Sequence, residues 1–387
     1  MPLPSCLVHL RWWYSLPLLA ALTGCTSRST GKPTAATARF DAITYPVIDA
    51  GLGEKALPGE QALAEAIALA IEESLRHEYR PGSVRRDAHP KAHGCVRGQF
   101  QVSESLPASL AQGMFVPGKR YAAWLRFSNG SPDTKRPDFK KDAHGVAIKV
   151  MGVPGPKLLE DEADAQTQDF ILIDHPVFFI NDPGRYLSMM RALNGGFFSK
   201  LRVPFALGFK GTRIALATGG KRIANPLQTR YWSMVPYQLG TGPGRQAVKY
   251  SLRACSTTRD PIPEKPAPDY LRAALRTTLQ QGEACMEFLV QPRTSDAMSV
   301  EDSMTEWPEA QAPFYPVARI VIPAQVFDTP GQNSFCENLS FTPWHVLPAH
   351  KPLGATNRLR KVIYNHTSRL RHGMNATVRQ EPSTSSP

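Results

Sequence analysis

The sequence lacks the features that several common protein classes require. No Cys-x-x-Cys pair occurs in its 387 residues, which argues against a structural zinc site and against covalent attachment of c-type haem. Its 45 Lys and Arg residues exceed its 33 Asp and Glu residues, but they form no basic stripe or aromatic platform, so nucleic-acid binding is not indicated. The net charge of +12 fits a bound dianionic cofactor or an anionic membrane surface equally well.

The apolar run near the N-terminus is too short to span a bilayer. It extends from Leu16 to Leu22, after Arg11, and has the layout of a signal peptide. The tetrapeptide at positions 22–25, Leu-Thr-Gly-Cys, resembles the bacterial lipobox, in which the cysteine is acylated and becomes the new N-terminus. Thr26 follows where an inner-membrane retention signal would have Asp. The resemblance therefore implies an outer-membrane lipoprotein that faces the periplasm.

These signals predict four segments. Residues 1–24 form a signal peptide, residues 25–45 a lipidated flexible tether, residues 46–372 the folded body and residues 373–387 a polar, disordered tail. Cleavage would leave four cysteines in the body, in an oxidising compartment: Cys95, Cys255, Cys285 and Cys336. Four cysteines permit three pairings, and the sequence does not choose among them.

The body alternates strand-like runs with helical patterns and shows no internal repeat. The spacing of apolar residues from Gly59 to Arg76 predicts an amphipathic helix. Strand-like runs fall in two groups, separated by an aromatic and basic helical stretch from Pro183 to about Arg222. These runs cover residues 98–102, 121–127, 145–150, 169–173, 247–252, 286–291 and 317–326. We predict an α+β fold, an antiparallel β-barrel of about eight strands with a helical insertion and a helical C-terminus.

Arg360 and Tyr364 stand one turn apart on one face if residues 357–364 are helical. A guanidinium beside a phenol favours the phenolate, because an opposite charge stabilises the charged form. A phenolate is a hard anionic donor, and tyrosine is one of the few side chains that ligate haem iron. The spacing alone is common on solvated helix faces and decides nothing by itself.

Several segments in the first half of the body accompany this pair. They are residues 86–94 (RDAHPKAHG), 126–130 (RFSNG), 142–149 (DAHGVAIK) and 174–179 (DHPVFF). Their order and character, followed by Arg-x-x-x-Tyr, resemble the catalase superfamily and within it the short catalase-like haem proteins. The resemblance runs from about Arg86 to Tyr364 and implies a catalase-type barrel that binds haem b.

The resemblance implies roles on the distal side of the haem. His89 matches the distal histidine, and Ser128 matches the serine that hydrogen-bonds its imidazole. His93 is the competing residue for the distal position, and the Arg86-to-His89 spacing favours His89. Arg86 and Arg126 match arginines that hold the haem propionates.

On the proximal side, the resemblance implies that Tyr364 is the axial ligand of the haem iron. Arg360 matches the arginine that keeps this tyrosine ionised. Tyr186 falls where the family has a phenylalanine packed on the haem. We expect the remaining candidate histidines to be structural: His144, His345 and His350.

Ile173 and Asp174 depart from the family pattern. Typical catalases carry two asparagines here, and the amide of the first donates a hydrogen bond to bound peroxide. An ungapped register places Ile173 at that position, whereas a shift of one residue makes Asp174 the functional match, and we expect Asp174 to be the catalytic polar group here. An ionised carboxylate cannot donate and would repel a developing anion, unless burial keeps it protonated. Rapid dismutation is the activity that this departure argues against.

The sequence therefore predicts a lipid-anchored haem peroxidase with modest catalase activity at the periplasmic membrane surface. Its substrate would be hydrogen peroxide or an organic or lipid hydroperoxide, with an electron donor that the sequence does not name. The alternatives are a fatty-acid hydroperoxide isomerase or lyase of the allene oxide synthase type, and a non-catalytic haem-binding lipoprotein. The chain is shorter than large catalases, so we do not expect an arm-exchanged tetramer or bound NADPH, and the oligomeric state stays open.

Overall fold

The computed structural model describes residue 40 and residues 43–382. The predicted leader and the lipidation site at Cys25 lie outside the described residues. Among the helices of the described part, none combines the length and the apolar character needed to cross a bilayer.

An antiparallel barrel forms the centre of the fold. Its strands are β1 (Ala92–Val102), β2 (Arg120–Asn129), β3 (His144–Met151), β4 (Thr167–Ile173), β5 (Tyr231–Trp232), β6 (Tyr237–Leu239), β7 (Gln246–Ala254), β8 (Ala284–Pro292) and β9 (Tyr315–Ile322). The sheet order is β5-β4-β3-β2-β1-β9-β8-β7-β6, and an additional pairing of β5 with β7 closes the sheet. Eight strands therefore make the barrel, with β6 beside β7, which confirms the predicted architecture.

The pattern along β2 shows how the barrel separates its two faces. Successive side chains of a strand point to opposite faces. Leu125 and Phe127 join the apolar cluster that fills the barrel, where they pack with residues such as Phe170. Arg126 and Ser128, which alternate with them, are also buried. The outer face of β2 is therefore covered, and this covered face carries the candidate site.

In the described part of the chain, seven α-helices surround the barrel: α1 (Glu60–Glu78), α2 (Pro183–Asn194), α3 (Phe197–Lys200), α4 (Val203–Gly219), α5 (Tyr270–Gln281), α6 (Pro330–Asn338) and α7 (Ala355–Met374). Helices α1, α2 and α7 share a second apolar cluster, which includes Ile71, Leu187 and Leu359. The predicted helical insertion corresponds to α2–α4, and the predicted helical C-terminus corresponds to α7. Both predictions are confirmed.

A fully buried arginine fixes the first turn of α7. Arg358 Nη1 lies 2.7 Å from Glu54 Oε1 and 3.0 Å from Glu301 Oε1, and its Nε lies 2.7 Å from Glu60 Oε1. Removing one partner of such a buried network typically costs about 3–5 kcal/mol, because a charge is left uncompensated. The network therefore sets the position of the helix that carries Arg360 and Tyr364.

The structure shows one of the three pairing patterns that the sequence left open, with two disulfides among the four cysteines of the body. Cys95 on β1 pairs with Cys336 on α6, with a Cα–Cα distance of 5.9 Å. Cys255 pairs with Cys285 on β8, with a Cα–Cα distance of 5.4 Å. The first disulfide ties α6 to the outer face of the barrel.

Both predicted flexible segments differ from the structure at their inner ends. Phe40 and Ile43, within the predicted tether, are buried in the cluster formed by α1, α2 and α7. The predicted tail begins inside α7, and Glu381 Oε1 accepts a hydrogen bond from Lys149 Nζ at 3.1 Å. Polar composition did not reveal these contacts, because their partners lie on distant parts of the chain.

Candidate active site

His89 lies over the ends of β2 and β3. Its backbone φ of 57° is in the left-handed region, a strained conformation that persists only where the surroundings fix it. Its Nδ1 lies 3.2 Å from Ser128 Oγ. Ser128 pairs with Gly145 across the two strands, and a Cβ at Gly145 would lie 2.6 Å from His89 Cε1. Glycine therefore makes room for the imidazole, and serine orients it.

Burial lowers the pKa of His89 to about 4, and the charge of Arg126 lowers it as well, while Asp174 acts in the opposite direction. His89 is therefore neutral at ordinary pH. When Nδ1 carries the proton and donates it to Ser128 Oγ, the lone pair of Nε2 is free to accept another proton.

His93 belongs to a separate network. Its Nε2 lies 2.7 Å from Asn129 Oδ1, and its Nδ1 lies 3.8 Å from Asp138 Oδ2. Burial holds the pKa of His93 well below its usual range. The structure brings His89, and not His93, to Ser128, and this geometry favours His89 for the distal position.

Asp174 is held by His144, a residue that we expected to be structural. Asp174 Oδ2 lies 2.8 Å from His144 Nδ1, and Oδ1 accepts a hydrogen bond from the His144 amide at 3.0 Å. Lys221 Nζ approaches Oδ1 to 3.9 Å. The carboxylate is thus engaged by neighbours that the sequence did not assign to it, although it remains near enough to influence His89.

Ile173 occupies a different place from its neighbour Asp174. In the register of the sheet, Ser128 faces Gly145 and Gly145 faces Ile173. Residues paired in this way project to the same face of the sheet. Because the His89 imidazole lies on the Cβ side of Gly145, Ile173 shares the face on which His89 lies.

Four arginines converge near one carboxylate at the other end of this surface. Arg86 Nη1 lies 3.0 Å from Glu337 Oε2, Arg85 Nη1 lies 3.7 Å from Oε2, and Arg371 Nη1 lies 3.8 Å from Oε1. Burial and then the charge of Arg86 hold the pKa of Arg126 well below its usual range. The buried Nε of Arg126 makes no hydrogen bond. One carboxylate among four guanidiniums leaves an excess of positive charge that suits a dianion.

Sequence reasoning missed two members of this cluster, the half-exposed Arg85 and the buried Arg371. Arg371 follows Tyr364 by two helical turns on α7, so both lie on the same side of the helix, and this spacing was the available signal. Its guanidinium donates to the backbone oxygens of Glu337 and Leu339, at 2.6 Å and 3.3 Å. Burial and the neighbouring charge of Arg86 lower the pKa of Arg371 to about 9.

Tyr364 and Arg360 form the predicted pair on α7. Arg360 Nη2 donates to Tyr364 Oη at 3.1 Å, and the guanidinium carbon lies 5.0 Å from the centroid of the tyrosine ring. Arg360 Nη1 donates to Asn357 Oδ1 at 3.0 Å, which fixes the guanidinium. Burial would lower the pKa of Arg360, but the oxygens of Tyr364 and Tyr237 raise it overall. A permanent cation is therefore held within hydrogen-bonding distance of the Tyr364 oxygen.

Tyr186 lies on α2, between the proximal and distal parts of the site. Its ring centroid is 6.1 Å from that of Phe178. Burial, with smaller contributions from Asp87 and Tyr364, raises the pKa of Tyr186 above its ordinary value, so the side chain is a neutral packing group. Its electrostatic interactions with Asp87 and Tyr364 show that α7 and the segment preceding His89 meet here.

The residues present fit a haem. Tyr364 supplies a phenolic oxygen that accepts a hydrogen bond from Arg360, and the arginine cluster supplies positive charge for two carboxylates, with the buried Arg126 Nε still lacking an acceptor. Gly145 leaves space for the imidazole of His89 on the opposite side.

Comparisons with known proteins agree with this geometry. Residues 58–197 match the family model described as catalase. A fungal catalase structure gives a TM-score of 0.61 at 18% identity, covering 93% of this chain and 71% of that one. Catalase A from Saccharomyces cerevisiae gives 0.57 at 20% identity, with coverage of 92% and 74%, and a bacterial catalase gives 0.54 at 18% identity, with coverage of 94% and 70%. The chain has the catalase fold.

Sequence similarity to catalases is confined to part of the chain. Over 115 residues the chain is 29% identical to peroxisomal catalase A of Saccharomyces cerevisiae, which is 30% of this chain and 20% of the yeast enzyme. The catalase family match includes His89, Ser128 and Tyr186 but ends before α7. Assignment of Arg360 and Tyr364 therefore depends on their geometry within the catalase fold. Together these findings show the catalase fold, and a match to the catalase family model over residues 58–197.

Proposed function

We propose that the protein is a haem-dependent peroxidase with modest catalase activity. The observation that carries this proposal is the 3.1 Å hydrogen bond from Arg360 to the Tyr364 oxygen. A tyrosine oxygen held beside a fixed cation is a donor suited to ferric haem iron. The arginine cluster provides cations for the haem carboxylates, and the His89–Ser128 pair provides an acid–base group for the peroxide.

Each part of the cofactor has a residue to hold it. Arg86, Arg126 and Arg371 would bind the carboxylates of haem b, Tyr186 would pack against the macrocycle, and Tyr364 Oη would hold the iron. When bound, the haem supplies the iron at which peroxide is cleaved and through which electrons are exchanged.

His89 is the general base and then the general acid of this proposal. Its low pKa keeps the imidazole neutral, so Nε2 can take the proton of the incoming peroxide. The same nitrogen returns the proton to the departing oxygen, which leaves as water. Ser128 Oγ holds the ring by its Nδ1 during both transfers.

The residues beside His89 favour peroxidation over rapid dismutation. Ile173 shares the face of His89 but offers no polar atom to a second peroxide. The carboxylate of Asp174 is engaged by His144 and provides no amide donor. We therefore expect an organic electron donor to reduce the oxidised protein faster than a second hydrogen peroxide does.

The membrane location is also part of the proposal. It is supported by the lipobox-like sequence that ends at Cys25. The four body cysteines form two disulfides, which is typical of an oxidising compartment such as the periplasm. Lipid hydroperoxides are then plausible substrates beside hydrogen peroxide.

Steady-state assays with three substrate sets test the function. Purified haem-loaded protein is given hydrogen peroxide alone, hydrogen peroxide with a phenolic donor, and a fatty-acid hydroperoxide with no donor. The proposal expects the fastest turnover in the second set. Donor-independent conversion of the fatty-acid hydroperoxide would instead identify an isomerase or lyase, and haem binding without turnover in any set would identify a non-catalytic haem protein.

A further inference from the structure

The helical insertion exposes an unusual set of large apolar side chains. Seven of the thirteen strongly exposed large apolar residues in the described chain lie between Leu193 and Leu216. They include four phenylalanines that are 73–84% exposed: Phe197, Phe198, Phe205 and Phe209. A contiguous set of exposed apolar side chains marks an interaction surface. We call this surface, formed by α3 and α4, the insertion face.

The insertion face is also strongly basic. Residues 197–219, which include α3 and α4, contain no Asp or Glu and four basic residues: Lys200, Arg202, Lys210 and Arg213. Lys210 lies 3.5 Å from Asp302, whereas Lys200, Arg202 and Arg213 form no ion pair with any carboxylate of the described chain. The guanidinium carbon of Arg213 lies 5.7 Å from the ring centroid of Phe209. Cations and exposed aromatic rings are therefore interleaved on one surface.

The opposite side of α4 is already packed against the body. Leu207 and Gly211 are buried, and Leu207 joins an apolar cluster with Ile180 and Met189. A Cβ at Gly211 would lie 2.6 Å from the backbone oxygen of Phe179, so this side of the helix is in close contact. Helix α4 therefore cannot bury its two exposed phenylalanines, Phe205 and Phe209, by rotating towards the barrel.

We propose that the insertion face docks on the surface of an anionic lipid bilayer. Phenylalanine side chains would enter the boundary between headgroups and acyl chains, and the basic side chains would contact lipid phosphates, as in interfacial amphipathic helices. A second copy of the chain is a poorer partner, because two such faces bring cations together with no acidic residue of either segment between them. Charge complementarity selects the lipid.

This contact is separate from the predicted lipid anchor at Cys25. An anchor alone tethers the body, whereas docking of α3 and α4 would also orient it. Helix α2 of the same insertion contributes Tyr186 to the candidate active site, so docking would hold that site close to lipid-derived peroxides. This last consequence rests on the proposed function, but the docking itself does not.

A fluorescence experiment on the full chain tests the contact. Phe209→Trp is mixed with vesicles whose acyl chains are brominated, made either of phosphatidylglycerol or of phosphatidylcholine. We expect the added fluorescence to shift to the blue and to be quenched with phosphatidylglycerol, and much less so with phosphatidylcholine. Val116→Trp is the matched control, since Val116 is 51% exposed and lies outside the insertion. Any anchor is identical in both variants, so their difference reports contact by α4.

The charge requirement is tested in the Phe209→Trp background. Replacing Lys200, Arg202 and Arg213 with Gln should weaken docking on phosphatidylglycerol about 100-fold, since each cation near an anionic surface contributes about fivefold. Equal quenching at positions 209 and 116 would overturn the proposal. Self-association would overturn it too. In that case the tryptophan at position 209 would be shielded from solvent without vesicles, and the apparent molecular mass of the protein would rise with its concentration, because a second copy would cover the insertion face. Haem content is measured in parallel, so loss of docking is distinguished from failure of the proposed function.

Discussion

Arg360 reaches along one turn of α7 to hold the oxygen of Tyr364 at 3.1 Å, while Asn357 holds Arg360 from the preceding turn at 3.0 Å. The chain thus places a fixed cation beside a phenol that is only partly buried. A tyrosine oxygen is one of the few side-chain donors that ligate haem iron, and here its position is fixed by the arginine. The arrangement leads directly to a test of haem ligation.

Tyr364→Phe should lose most of its haem, because it removes the axial oxygen and leaves the ring. The wild type should show a high-spin ferric spectrum of the tyrosinate type. Tyr186→Phe is the control, since Tyr186 is a neutral packing group and its hydroxyl has no assigned ligand role. Haem content and absorption spectra of both variants decide the matter. Full haem with an unchanged spectrum in Tyr364→Phe would show that the ligand is another residue.

His89→Ala should slow the first reaction with peroxide by about 10²–10⁴-fold, the usual contribution of a positioned acid–base group, while haem content barely changes. Stopped-flow absorption measures the rate. His93→Gln is the comparison, because His93 binds Asn129 and not Ser128. It should reduce stability and leave the rate unchanged. If only His93→Gln slowed the reaction, His93 and not His89 would be the general base.

The pH dependence of the same step follows from the pKa of His89. Burial lowers this pKa from 6.5 to about 4, so the reactive neutral form is fully present above about pH 5. The rate should therefore be flat at neutral pH and fall as the pH drops through about 4. Folding stability has the matching sign, because the unfolded chain binds the proton more tightly, so this contribution is lost as the pH falls from 6.5 to 4. A rate that falls near pH 6.5 would indicate an exposed imidazole.

Ile173→Asn should raise the ratio of dismutation to peroxidation more than Asp174→Asn does. Ile173 shares the face of Ser128 and Gly145, so an amide there would be directed to the side on which His89 lies. Asp174→Asn removes a charge near His89 but leaves the new amide beside His144. Oxygen release and phenol oxidation are measured for both variants at equal haem. If the ratio of dismutation to peroxidation rose more in Asp174→Asn, Asp174 and not Ile173 would be the match of the catalase asparagine. If Asp174→Asn lowered that ratio, the aspartate itself would contribute to the reaction.

Local patterns in the sequence were enough to predict the barrel but not its closure. In runs such as residues 121–127, side chains alternate between the two faces of a strand, and this alternation can be recognised in a single sequence. Strand β5 consists of Tyr231 and Trp232 alone, and two residues carry no period, although their pairing with β7 closes the barrel. The last predicted strand ends early, at Ile322, because a proline follows and removes a backbone donor.

Site residues that act through distant partners were the ones that the sequence concealed. His89, Ser128, Arg360 and Tyr364 could be proposed from motifs with short spacing. The pairing of His144 with Asp174, by contrast, joins residues thirty positions apart, one at the start of β3 and the other just after β4. Both disulfides and the docking of Glu381 on Lys149 depend in the same way on which strands become neighbours. Such contacts are set by tertiary packing, and no local pattern specifies them.

Arg371→Gln should speed haem loss by about 10–100-fold, because a charge-assisted hydrogen bond contributes about 1.5–3 kcal/mol. Arg369→Gln is a matched control on the same helix, since Arg369 is exposed and its 3.0 Å ion pair with Asp161 lies at the surface. Transfer of haem to excess apomyoglobin measures the dissociation rate, and the spectrum should remain of the tyrosinate type in both variants. A structural role for Arg371 would instead lower the melting temperature of the haem-free protein and leave the dissociation rate unchanged. Equal rates in the two variants would remove Arg371 from the cofactor site and leave Arg86 and Arg126 as its only predicted cations.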